Sequence, residues 1–319
     1  MKKPKSRIAK LISLVALAGT ISPTLLSAQS APAAVTAKPW SQLTTAELIA
    51  AAPADAWQVL DPAQTLYMDV EPTPGAQAIR VVIALAPDLA PAHVAAVKAL
   101  VGAKFFDNRS IVRSQDNYVA QWGDGAAALA LGLPGAKMAP EFDKVMGGDF
   151  RPSGLRDGDV YAKRVGIWRN WPVAWDPSTR RAWLPHCYGM IGAGRDEAGD
   201  SGGPAEMYVV NGHAPRALDR NVTLFGRVVR GMEHLTTLPR GTEALGFYGE
   251  GQTKPKIISM RLASELPTNQ REMLQVLRTD HPIYSEILES RRNRRDSWTL
   301  YKAGRLEVCN APLPVRVAP

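Results

Sequence analysis

Residues 105–124, FFDNRSIVRSQDNYVAQWGD, constrain what this chain can fold into more than any other stretch. An apolar pair opens the segment, Asp107-Asn108 marks a turn, and Ile111-Val112 starts a β-prone run. Arg113 and Gln121 then stand in strand-like sequence where alternation expects apolar side chains, before Trp122-Gly123-Asp124 closes the segment. If Arg113 and Gln121 share one sheet face with Tyr118, they make a shallow site with a fixed cation, an amide and an aromatic wall. The plainer alternative is a lone arginine on a solvated strand face, where arginine usually sits.

The start of the chain has a different character. Lys2, Lys3, Lys5, Arg7 and Lys10 precede an apolar run over 11–26 that ends in Leu26-Ser27-Ala28. A basic, then apolar, then small-residue order predicts a secretory signal peptide over 1–28, with an uncleaved anchor as the alternative. Pro23 and weak flanks argue against a membrane span, so no stable membrane insertion is expected after cleavage. Removing those five basic residues lowers the formal net charge from +8 to +3. A nucleic-acid partner then loses its electrostatic support. The length of 319 residues suits one domain of about 200 residues with extensions.

After an Ala/Pro linker, residues 41–52 predict a helix, with Thr44 and Glu47 spaced as a capping box. Residues 29–63 read as an N-terminal helical arm anchored by Trp57, Val59 and Leu60, either packed on the main domain or a loose tether. Alternating Leu66, Met68 and Val70 predict a half-buried strand, and 79–85 a more buried one. Pro91 opens a helix to about Val101, with Val94, Val97 and Leu100 on one face.

This order of strand, turn, strand, helix and arginine strand resembles the cyclophilin-type peptidyl-prolyl cis/trans isomerases. So does the spacing of Arg113, Tyr118, Gln121, Gly123 and Asp124, although the family usually has phenylalanine at Tyr118 and a second glycine at Trp122. Two further blocks are similar to that family: Gly189-Met190-Ile191-Gly192-Ala193-Gly194, and the run VTLFGRVVRGME over 222–233. Glu206 replaces a usual glutamine, and Ala217 and Val222 replace a tryptophan and a histidine. The resemblance spans about 65–265 and implies a mainly β fold: a cyclophilin-like closed antiparallel β-barrel capped by helices, with N- and C-terminal extensions. It implies Arg113 and Gln121 as catalytic residues. It implies Tyr118, Met190, Ile191, Glu206, Tyr208 and Leu218 as substrate-binding residues. No cofactor and no metal is implied. The expected partners are proline-containing polypeptides, and the expected place is outside the cytoplasm, in the periplasm, assisting folding. A non-catalytic peptide-binding or chaperone module on the same barrel stays open.

Some stretches fit less directly. Gly199-Asp200-Ser201-Gly202-Gly203-Pro204 resembles the nucleophile signature of trypsin-like serine proteases, a remote alternative, but neither His93 nor His186 stands where that chemistry needs a base. The same composition also builds a tight loop. Residues 144–183 read as an insertion holding Trp168, Trp171, Trp175 and Trp183 among arginines. It is either a surface loop with its own aromatic cluster or a peptide-gripping rim. Residues 256–262 read as the closing strand. Residues 266–319 form a C-terminal extension with an amphipathic helix carrying Met273, Leu274 and Leu277 on one side. Arg291, Arg292, Arg294 and Arg295 then read as a solvated helix face, and 306–317 as a strand-like end. Cys187 and Cys309 are the two cysteines; in an exported chain they either pair or remain two buried thiols.

Overall fold

Thr44 and Glu47 satisfy each other's backbone N–H groups, so helix α1 (Thr45–Ala50) begins with a complete capping box. The computed structural model describes residues 38–319, and the expected signal peptide lies outside them. Strand β1 (Trp57–Val59) follows, then the hairpin of β2 (Thr65–Glu71) and β3 (Ile79–Leu85). Helix α2 (Pro91–Gly102) has proline in its first turn and no cap of its own. Glu141 supplies one, accepting from the backbone N–H groups of Ala92 (3.1 Å) and His93 (2.9 Å). Next come β4 (Ile111–Ser114) and β5 (Val119–Gly123), the hairpin that carries Arg113 and Gln121, and the short α3 (Gly125–Ala130).

Residues 144–183 then build a sheet of their own from β6 (Lys144–Val145), β7 (Ser153–Gly154), β8 (Arg164–Trp168), β9 (Trp171–Asp176) and β10 (Arg181–Trp183), ordered β6-β10-β9-β8-β7. This segment is not a surface loop. Trp168 and Trp183 are buried in an extended core that also takes Leu48 of α1.

The chain returns to the main sheet with β11 (Met190–Gly194), β12 (Gly203–Val210) and β13 (Leu224–Arg230), then α4 (Met232–Thr236) and β14 (Lys256–Leu262). Eight strands run β14-β2-β3-β13-β11-β12-β5-β4, antiparallel throughout. The two end strands meet: Ile111 N–H donates to the Pro255 carbonyl (2.9 Å), Ile257 N–H donates to the Arg109 carbonyl (2.7 Å), and Ser110 bridges Lys256. The sheet is thus a nearly closed antiparallel barrel, mainly β as its alternating strands predict. Trp122, Phe106, Phe225 and the buried face of α2 fill its interior.

The C-terminal extension differs from expectation. Leu274–Leu277 is a strand, β15, not part of a helix: it pairs with β1 on one side and with β16 (Val315–Val317) on the other. The helix comes later, at α5 (Pro282–Arg292), where His281 caps the Ile283 N–H. Of the four arginines there, Arg294 is exposed as expected, but Arg292 and Arg295 are not a solvated face. Arg292 is 6% exposed and pairs with Asp157 (2.6 Å) and Glu289 (2.7 Å), and Arg295 donates to the carbonyls of Trp40 and Leu43. The described part of the N-terminal arm, residues 38–63, is no loose tether either, since Leu48 is fully buried and Thr45 bonds Ser290 of α5 at 2.8 Å; residues 29–37 lie outside the described residues. A Cys187–Cys309 disulfide, with Cα atoms 4.9 Å apart, ties the tail to the start of β11.

Candidate active site

Strand register decides which side chains meet. Arg113 of β4 stands opposite Gln121 of β5, Gln121 opposite Tyr208 of β12, and Tyr208 opposite Gly192 of β11. Their sequence neighbours Trp122, Met207, Val209 and Ile191 all lie in the barrel interior. Because side chains alternate along a strand, the row Arg113–Gln121–Tyr208–Gly192 lies on the outer face. The polar residues that break the apolar pattern are therefore neighbours on one surface.

Arg113 is partly buried and held by three acceptors. Nε donates to the Leu245 carbonyl (2.7 Å), one terminal nitrogen to Gln121 Oε1 (3.3 Å), and the other to Gln115 Oε1. The rings of Tyr118 and Phe247 flank the guanidinium at 5.6 and 5.4 Å. No carboxylate among the described residues pairs with it, and burial lowers its pKa, with Tyr118 opposing. The result is a fixed cation without a counter-charge, with two of its five N–H groups uncommitted. Gln121 accepts from it through Oε1, which leaves the amide nitrogen as a donor beside Gly194, where an added Cβ would stand 3.3 Å from Nε2.

The substrate-binding residues expected from sequence divide into two sets. Tyr118, Glu206 and Leu218 are partly exposed. Tyr208 (7% exposed) and Met190 (1%) are covered by the second core, and Ile191 turns into the barrel. The Tyr208 hydroxyl bonds His186 Nε2 (2.9 Å), and His186 Nδ1 bonds Asp219 (3.0 Å), whose other oxygen accepts from Arg216 (2.6 Å). Burial raises the Tyr208 pKa, so the phenol is neutral. Its ring lies over Gly192, where any Cβ would overlap it. Glu206 makes no hydrogen bond or ion pair among the described residues, and burial, then Asp196 and Asp124, raise its pKa.

Three groups at Arg113 escaped the sequence reading: Gln115, the Leu245 carbonyl and Phe247. Gly246 makes that contact possible, with φ +78° and no room for a side chain, since an added Cβ would stand 2.6 Å from the Gln115 α-carbon. The Gly246-Phe247-Tyr248-Gly249 run is the signal that could have marked it. Ser201 has no catalytic partner. Its hydroxyl donates to the Ala198 carbonyl (2.5 Å) and accepts from Asp196 N–H (2.9 Å), while His93 bonds Glu141 and His186 bonds Asp219. Among the described residues no group of three or more His, Cys, Asp or Glu side chains could hold a metal ion.

The sequence profile of the family described as cyclophilin type peptidyl-prolyl cis-trans isomerase/CLD matches residues 67–261. Among solved structures, the chain is similar to cyclophilin AquaCyp293 from Hirschia baltica, with 22% identity over 82% of this chain and 94% of that one, and a TM-score of 0.60. A Cryptosporidium parvum cyclophilin type peptidyl-prolyl cis-trans isomerase, crystallised in the presence of the dipeptide Ala-Pro, is 13% identical over 62% of this chain and 98% of that one, with a TM-score of 0.39. No curated protein matches the chain.

Proposed function

The chain belongs to the cyclophilin-type peptidyl-prolyl cis-trans isomerase family, and on that premise we propose that Arg113 and Gln121 carry its proline isomerisation, acting on exported polypeptides. The barrier to be lowered is about 18–20 kcal/mol, because the amide C–N bond has partial double-bond character. Twisting that bond localises the lone pair on the prolyl nitrogen. Arg113 donates to that nitrogen and opposes resonance, while Gln121 holds the substrate carbonyl through its free amide N–H. Tyr118 and Leu218 flank the proline and Glu206 lies alongside, while Met190 and Tyr208, covered by the second core, and Ile191, turned into the barrel, support the strands behind rather than touch it. No proton transfer or covalent intermediate is required; the site binds the twisted amide better than either planar isomer.

The observation that carries this reading is Arg113 itself: a partly buried cation with no counter-charge, aligned by three carbonyl-type acceptors and two aromatic rings. Export is supported by the basic-apolar start of the sequence and by the disulfide, which persists in oxidising compartments. NMR exchange spectroscopy on a short X-Pro peptide is the test. Faster cis–trans exchange at catalytic protein concentrations is the expected result. Binding with unaltered exchange would instead identify a non-catalytic peptide-binding module.

A further inference from the structure

Away from the Arg113 row, a cavity of about 800 Å³ opens between the barrel, the β8–β9 hairpin and strands β1 and β15. None of Arg113, Gln121, Tyr208 or Glu206 lines it. Arg227 does. It stands opposite Ala84 of β3 and Met190 of β11, and so leaves the barrel on the outer face, beneath the Trp-rich sheet.

Arg227 is 9% exposed. Among the described residues it makes no hydrogen bond and has no carboxylate partner; the Trp171 ring lies 5.8 Å from the guanidinium carbon. Burial lowers its pKa to about 10, which leaves it charged at neutral pH. Tyr284 cannot neutralise it, since burial raises that phenol's pKa. Buried charges are ordinarily paired or hydrogen-bonded, because an unpaired one forfeits its hydration without return. Its five N–H groups are left to solvent-accessible space, and the cavity it lines is where a ligand can bring the counter-charge.

The rest of the cavity indicates what that is. Trp57, Trp168 and Trp171 give it aromatic walls, and Gln64 Oε1 and Asn170 Oδ1 are buried acceptors without a partner. Arg151, a second guanidinium on the lining, bonds only the Phe150 carbonyl (3.2 Å). Four acids also line the cavity: Asp88 pairs with Arg169 and Asp280 with Arg278, both at 2.8 Å, Asp61 accepts from the Ala63 N–H (2.8 Å), and Asp55 lies 3.9 Å from His281 Nε2. The volume falls within the roughly 300–1,000 Å³ of small-molecule sites and is far larger than a single ion needs. We propose that this cavity is a second ligand site that takes an amphipathic carboxylate, its oxyanion paired with Arg227 and its apolar or aromatic body held by Trp57, Trp168 and Trp171. A small free acid and the C-terminal end of a polypeptide present the same chemistry.

Calorimetry and tryptophan fluorescence on the chain from residue 29 onward test this with 3-phenylpropionate, its amide, N-acetyl-Ala-Ala-Phe with a free C-terminus, and inorganic phosphate. The wild type should bind both carboxylates saturably and melt at a higher temperature with them, and should ignore the amide. The tighter of the two carboxylates identifies the source as free acid or chain end. Arg227→Met should weaken binding by at least about thirtyfold, the low end for losing one partner of a buried charge pair. The variant should retain isomerase activity and, without ligand, melt no lower than wild type. Equal binding of the acid and its amide by the wild type overturns the proposal, even if the variant does not fold. Undiminished binding by Arg227→Met, or phosphate binding as tightly as the aryl acid, overturns it too.

Discussion

Removing the Cys187–Cys309 bridge should weaken the fold chiefly through the unfolded chain. The two cysteines are 122 residues apart, and the chain-entropy relation assigns a loop of that length about 4.9 kcal/mol at 25 °C. Little of that would be offset by release of the tail. Leu306 and Val308 are buried in the second core, Glu307 reaches Arg216 at 3.4 Å, and β16 pairs with β15. These contacts hold the tail in place when the bridge is gone. Against a typical total of about 5–15 kcal/mol, the loss is large. The double variant Cys187→Ala/Cys309→Ala should therefore unfold at lower guanidinium concentration than the oxidised wild type, with a steeper denaturant dependence because its unfolded chain is less compact. Dithiothreitol should move the wild type the same way and leave the variant unmoved. A variant with the wild-type midpoint and slope would refute the reasoning.

Three further substitutions probe the site and its surroundings. Gly192→Ala should displace the Tyr208 ring, destabilise the protein by about 1–3 kcal/mol and lower kcat/KM, as read by thermal melts and the exchange assay. Ser201→Ala should leave isomerisation unchanged, and a fluorophosphonate probe should not label the wild type; labelling at Ser201 would revive the protease reading. Glu206 has a raised pKa, so the native state holds its proton to higher pH than the unfolded state does. Its stabilisation is full below the ordinary carboxylate range and is lost as pH rises through the raised value. Glu206→Gln should therefore gain stability relative to wild type between acidic and neutral pH, and a constant difference across that range would contradict the assignment.

The barrel was legible because its signals are local. Alternation in β2, the capping box at α1, proline at α2 and the Arg113–Tyr118–Gln121 spacing each lie within about a dozen residues. What escaped was set by partners far along the chain. Leu274 and Leu277 fit a helix face as well as a strand; pairing with Trp57–Val59, more than two hundred residues earlier, makes them a strand. Arg292 resembles a solvated arginine until Asp157, 135 residues away, meets it. Tyr208 resembles a pocket wall, but His186 and the insertion's core cover it. Phe247 and the Leu245 carbonyl reach Arg113 from a loop with no strand or helix period. Arg227 lies in an ordinary β-strand pattern, and only the fold over it reveals that its charge is buried.

The most direct test of the central claim is kcat/KM for an X-Pro peptide with wild type, Arg113→Lys and Arg113→Ala, beside a binding measurement on the same peptide. Removing one preorganised donor to developing charge typically lowers turnover by about 10²–10³-fold. Arg113→Ala should lose that much in kcat while retaining the fold and much of the peptide affinity. Arg113→Lys should recover only part, because a point charge cannot satisfy Leu245, Gln121 and Gln115 together. An Arg113→Ala protein that isomerises the peptide at the wild-type rate would contradict the account.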